Sequence, residues 1–128
     1  MYPNDLRYSK DHEWIRLAGE RGTIGITDYA QNQLSDIVFV EIIVAVGELV
    51  KQGDSCTTVE SVKAAADVYM PVSGKITAIN EALPDSPETI NSDPYGAAWM
   101  VKVEIADPAE AAELMDAAAY QASVESRE

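Results

Sequence analysis

At 128 residues, with 47% hydrophobic and 24% charged residues, the chain has the size and composition of one soluble domain spanning 1–128. Its 22 acidic and 9 basic residues leave a net charge of −13, which repels phosphate backbones and anionic bilayers and argues against nucleic-acid or membrane partners. One cysteine, Cys56, excludes an internal disulfide, and one histidine, His12, leaves too few ligands for a zinc centre, so no metal is expected.

Taken in order, Met1 to Leu6 has neither the basic-then-apolar order of a signal peptide nor an Arg-rich amphipathic look, and no later stretch is long and apolar enough to span a bilayer. The expected location is the cytoplasm. Residues 8–17 end in a strand, Ala18-Gly19-Glu20 is a turn, and Thr23–Ile26 pairs back as a hairpin. Thr27 or Asp28 then caps a short helix near 28–34, with Gln31 at capping-box distance from Asp28. Ile37–Val40 reads as an apolar strand, and the apolar run continues to Val46. Lys51–Asp54 turns into a strand that arrives at Lys63. Beyond it Val68, Met70 and Val72 share one face, opposite Asp67 and Tyr69.

Pro71–Gly74 forms another turn, into a strand over Lys75–Ile79. Ser86 and Pro87 open a very short helix. Trp99, Val101, Val103 and Ile105 alternate with Met100, Lys102 and Glu104, the clearest strand pattern in the chain. Asp107 caps a C-terminal helix near 108–120, with Pro108 at its first position. Ala111, Leu114, Met115 and Ala118 form its apolar stripe. The polar tail 121–128 is expected to fray. Many short antiparallel strands separated by turns predict a mainly β fold, a compact barrel or sandwich.

Catalytic machinery is not in view. There is no glycine-rich phosphate loop. Cys56 lacks a marked base and orienting group and reads as a core or strand cysteine. His12 beside Glu13 reads as a packed, hydrogen-bonded residue. The chain is expected to be no enzyme, with no catalytic residue.

Lys63 is the informative position. It joins two strand-forming runs, Thr57–Val62 and Val68–Met70, with no Asn-Gly or Gly-Gly to make an ordinary tight hairpin. An ammonium at such a tip is displayed, because burying it unpaired is costly. Glu60-Ser61-Val62-Lys63-Ala64 resembles the lipoyl-attachment motif of the H-protein family of the glycine cleavage system. Lipoyl domains of 2-oxo acid dehydrogenases usually carry Asp-Lys-Ala here and biotin carriers Met-Lys-Met, and this chain has Val-Lys-Ala. The resemblance extends through His12-Glu13-Trp14-Ile15, Ile24–Gln31, Asp36–Glu41, Ala65–Tyr69, Pro71–Gly74, Pro94-Tyr95-Gly96, Trp99 and Leu114-Met115. Three departures stand out. Ile42–Val46 has no proline and one residue more than the family pattern, for which a bulge is the expected remedy. Ser35 and Ala98 stand where the family favours glycine, a local cost wherever the backbone needs positive φ.

The resemblance implies a barrel-sandwich hybrid of the lipoyl and biotinyl carriers, with lipoic acid in amide linkage to Lys63. It implies that Glu60 and Gly74 support recognition by a lipoate ligase or lipoyl transferase. Glu13 and Asp67 would line the cleft that holds the arm. It further implies a cycle with three enzymes. A pyridoxal-phosphate glycine decarboxylase loads an aminomethyl group, a tetrahydrofolate-dependent aminomethyltransferase removes the methylene, and dihydrolipoyl dehydrogenase takes the electrons. The alternatives are an H-like lipoyl relay or donor for other complexes and, further off, a 2-oxo acid dehydrogenase lipoyl domain or a biotin carrier.

Overall fold

The computed structural model describes residues 2–127, with Arg127 described by its backbone alone. Among these residues the strands are β1 Arg7–Tyr8, β2 Glu13–Ala18, β3 Arg21–Ile26, β4 Ile37–Ile42, β5 Leu49–Val50, β6 Ser55–Ser61, β7 Ala65–Tyr69, β8 Gly74–Ile79 and β9 Val101–Ile105. The helices are α1 Asp28–Leu34, α2 Thr89–Ser92, α3 Pro108–Ala112 and α4 Ala117–Arg127, with a 3-10 turn at Leu83–Asp85. None of the described helices is long and apolar enough to cross a membrane.

Every strand pairing is antiparallel. One sheet runs β1-β2-β3-β9-β8-β5 and the other β4-β6-β7. The two-residue period decides which face each strand turns inward: Val101, Val103 and Ile105 of β9 are buried while Lys102 and Glu104 are exposed. From the small sheet Val40, Val59 and Val68 meet Ile15, Ile24, Ile76 and Val103 of the large one in a single apolar core. This is the mainly β sandwich that the strand pattern predicts, with the short helix at 28–34 in place.

The C-terminal segment differs from expectation. In place of one helix near 108–120 there are two, α3 and α4, separated at Glu113–Asp116. Met115 leaves the helical stripe to bridge Tyr8, exchanging backbone hydrogen bonds of 2.8 and 2.9 Å. Asp116 then caps α4, its Oδ1 accepting from the Ala119 amide at 2.8 Å. Nor does the expected frayed tail hold for residues 121–127, which are helical, with Tyr120 1% and Val124 3% exposed. They close a second, aromatic-rich core with Leu6, Tyr8 and Trp14. Glu128 lies outside the described residues.

The extra residue of Ile42–Val46 is also accommodated differently. Val44 is buried, but Ile43 and Val46 face outward in the loop that follows β4. The register irregularity falls earlier, between Ile37 and Phe39 opposite β6, and turns Val38 outward. At α1, Thr27 is the cap, accepting from the Ala30 amide at 3.2 Å, while Gln31 donates to Asp28 instead of completing a capping box.

Candidate functional site: the lysine hairpin and the grooves beside it

Lys63 sits exposed at the turn between β6 and β7. The Ser61 hydroxyl organises that turn. It accepts from the Lys63 and Ala64 amides at 3.3 and 3.0 Å, while the Ser61 amide donates to the Ala64 carbonyl at 2.7 Å. A serine clamp therefore takes the place of the glycine that an ordinary two-residue hairpin would need.

The tip is tied back to the body. The Val62 amide donates to the Asp36 carbonyl at 3.0 Å. Asn91 fixes the chain on both sides of Asp36, its Oδ1 accepting from the Ile37 amide at 2.9 Å and its Nδ2 donating to the Ser35 carbonyl at 2.9 Å. Ser35 needs this support, because its backbone lies at φ 71°, ψ −151°, a region that suits glycine. The departure from the family's glycine at Ser35 thus meets a positive φ. Ala98 is not among the positive-φ residues.

Glu13, at the start of β2, is 2% exposed. Its carboxylate accepts from the Ser9 hydroxyl at 2.5 Å and the Tyr69 amide at 3.3 Å. Burial outweighs both bonds and raises its carboxyl from 4.5 to about 7, with Asp11 adding to the rise. The same burial pushes the Cys56 thiol up to about 12, so Cys56 is an inert core residue.

Glu13 lines two cavities. One, of about 550 Å³, is bordered by Tyr8, Ser9, Gln52, Tyr69, Met70 and Met115. The other, of about 190 Å³, runs between β7 and α1 and brings Glu13 together with Asp67 against Ala30, Leu34, Val59 and Ala66. Asp67 is exposed and accepts from the Thr58 hydroxyl at 3.3 Å. It lies four residues beyond Lys63, about 13 Å along an extended strand. A lysine lengthened by a medium acyl chain reaches that far, and the groove offers it apolar walls with two carboxylates.

Glu60 is exposed on β6, directly between Phe39 and Ala65 of the neighbouring strands and close to the tip. Gly74 is not near it. It opens β8 in the other sheet, opposite Val50 and Ile105, beyond the far end of β7. A Cβ there would collide with the Glu104 carbonyl oxygen and the Val103 side chain.

Comparison with known proteins gives the family. The model of the family described as "Glycine cleavage H-protein" matches residues 6–127. The glycine cleavage system H protein of Cronobacter sakazakii is 53% identical over 124 residues, covering 96% of this chain and 95% of that one. Its counterpart from Acidobacterium capsulatum is 54% identical over 123 residues, covering 96% and 94%. The crystal structure of a glycine cleavage system H protein from Mycobacterium marinum superposes with a TM-score of 0.88 at 39% identity, covering 97% of this chain and 99% of that one.

The chain belongs to the glycine cleavage H-protein family. As a member of it, the protein is a non-catalytic lipoyl carrier of the glycine cleavage system, a shuttle for aminomethyl groups and electrons. Two features of this H-protein site escape a reading of the sequence. Ser61 carries a local signal, a hydroxyl two residues before the displayed lysine, the spacing of a serine turn. The other has no local signal: His12 Nδ1 lies 2.7 Å from the Tyr120 hydroxyl, which lies 2.7 Å from Thr27 Oγ1. That chain joins α4, the cap of α1 and the residue before Glu13, which are far apart in sequence.

Proposed function

We propose that the whole chain acts as one cytoplasmic carrier domain and that Lys63 is the residue to which lipoic acid is joined. The observation that carries this is an exposed lysine on a hydroxyl-clamped turn, beside a groove that suits an acyl arm. When bound, the dithiolane supplies reversible thiol–disulfide exchange.

The chain's own residues do the positioning. Ser61 and the Asn91 tie hold the tip still, so that Lys63 meets each enzyme from a fixed base. Glu13 and Asp67 offer carboxylates to a cationic amine drawn into the groove, where partial exclusion of water strengthens the pairing. Glu60 beside the tip serves the lipoate ligase or lipoyl transferase directly. Gly74 serves it through the fold, by letting β8 lie against β9. The enzymes served thereafter are the pyridoxal-phosphate glycine decarboxylase, the tetrahydrofolate-dependent aminomethyltransferase and dihydrolipoyl dehydrogenase.

The test is lipoylation in vitro. Apo-protein incubated with lipoate ligase, lipoate and ATP gains one lipoyl increment, Lys63→Arg gains none, and Glu60→Ala gains it more slowly with an unchanged melting temperature. A full increment on Lys63→Arg defeats the assignment.

A further inference from the structure

The outer face of the β4-β6-β7 sheet has a polarity that the carrier role alone does not require. Val38 is 56% exposed, Phe39 45% and Val62 66%. The register sets Phe39 beside Glu60, and the Val62–Asp36 hydrogen bond brings the tip against the start of β4. The three apolar side chains thus lie at the base of the turn that presents Lys63. Carboxylates flank them: Asp36 at the start of β4, Glu41 further along it and Glu60 on β6. From Gly22 to Val50 the sequence contains no lysine or arginine.

An enzyme that acylates Lys63 must take the tip into its active site. A stable protein contact covers about 800 Å² on each side, roughly 20 residues or more, so its footprint includes the residues around the turn. Exposed apolar side chains within such a footprint suit the dry centre of a contact, and carboxylates around them suit its rim.

We propose that Val38, Phe39 and Val62, rimmed by Asp36, Glu41 and Glu60, dock the lipoate-attaching enzyme, through an apolar patch on that enzyme bordered by lysine and arginine. The inference rests on Lys63 being the lipoylation site. Apolar contact sets the affinity, and the acidic rim steers encounter and makes it sensitive to salt.

The experiment measures steady-state lipoylation of the full-length apo-protein by lipoate ligase, read as mass gain. Phe39→Ser and Val62→Ser each raise KM for the apo-protein about fivefold or more while kcat changes little. Leu49→Ser, at a 79% exposed position in the other sheet, leaves KM unchanged. Added salt raises the wild-type KM, and Glu41→Gln with Glu60→Gln weakens that dependence. Thermal melts of the variants separate docking from folding, and Val62 in the turn is the less disruptive site.

Wild-type KM values in both Phe39→Ser and Val62→Ser overturn the proposal, as does an equal rise in Leu49→Ser. Normal lipoylation with impaired aminomethyl turnover also overturns it, reassigning the face to an enzyme of the cycle. Absence of lipoylation at Lys63 in the wild type is a different result: it defeats the underlying site assignment.

Discussion

Replacing Glu13 by glutamine changes how stability depends on pH, and the structure gives both sign and size. The folded protein holds this carboxyl at about 7, against 4.5 for an ordinary glutamate. Between those values the folded state keeps a proton that the unfolded chain has released. The stabilisation is therefore complete below pH 4.5 and is lost as pH rises to about 7. That interval, at about 1.4 kcal/mol per pH unit, amounts to about 3 kcal/mol. Glutamine does not titrate, and its amide oxygen retains an acceptor for Ser9 or the Tyr69 amide. Urea unfolding of both proteins at intervals from pH 4.5 to 8 gives the difference directly, because the other carboxylates are common to both and cancel. Wild-type stability should fall relative to Glu13→Gln by about 2–3 kcal/mol across this window and stay level above it. Parallel curves would refute the burial argument.

Two further substitutions test the backbone, one beneath the tip and one in the opposite sheet. Ser35→Gly relieves a backbone at φ 71° and should stabilise the protein by about 1 kcal/mol after the entropy of an added glycine, visible as a melting temperature higher by about 3–5 °C. No gain would mean that the Asn91 bonds already offset the strain. Gly74→Ala drives a methyl group into the Glu104 carbonyl and should cost about 3 kcal/mol or more, read in denaturant unfolding. If Gly74 acts through the fold, lipoylation of the folded fraction of Gly74→Ala proceeds at the wild-type rate; a slow rate on fully folded protein would make Gly74 a recognition residue in its own right.

The parts legible in the sequence are those that local rules govern. Alternation in Val101–Ile105 marks β9 and its inward face, and the pair Thr27-Asp28 marks the start of α1, with Thr27 the cap in the structure. The five residues ending at Ala64 mark the hairpin. What stayed hidden depends on distant partners. The stripe through Leu114 and Met115 is helical by pattern, yet Met115 gives its backbone to Tyr8, more than 100 residues away in sequence. The polar composition of 121–127 suggests fraying, while Val124 finds a core that only the fold assembles. Glu13 shows the same limit. An acid at a strand start is ordinarily solvated, and nothing local reveals that Ser9 and Tyr69 enclose it between two cavities.

Attachment of the arm to Lys63 can be read on native protein. The most direct measurement is the mass of the Lys63-containing peptide from protein purified from its native host. A single lipoyl increment is expected on Lys63, absent after Lys63→Arg substitution. A biotin-sized increment, or a bare Lys63 in cells whose other lipoyl proteins are modified, would contradict it.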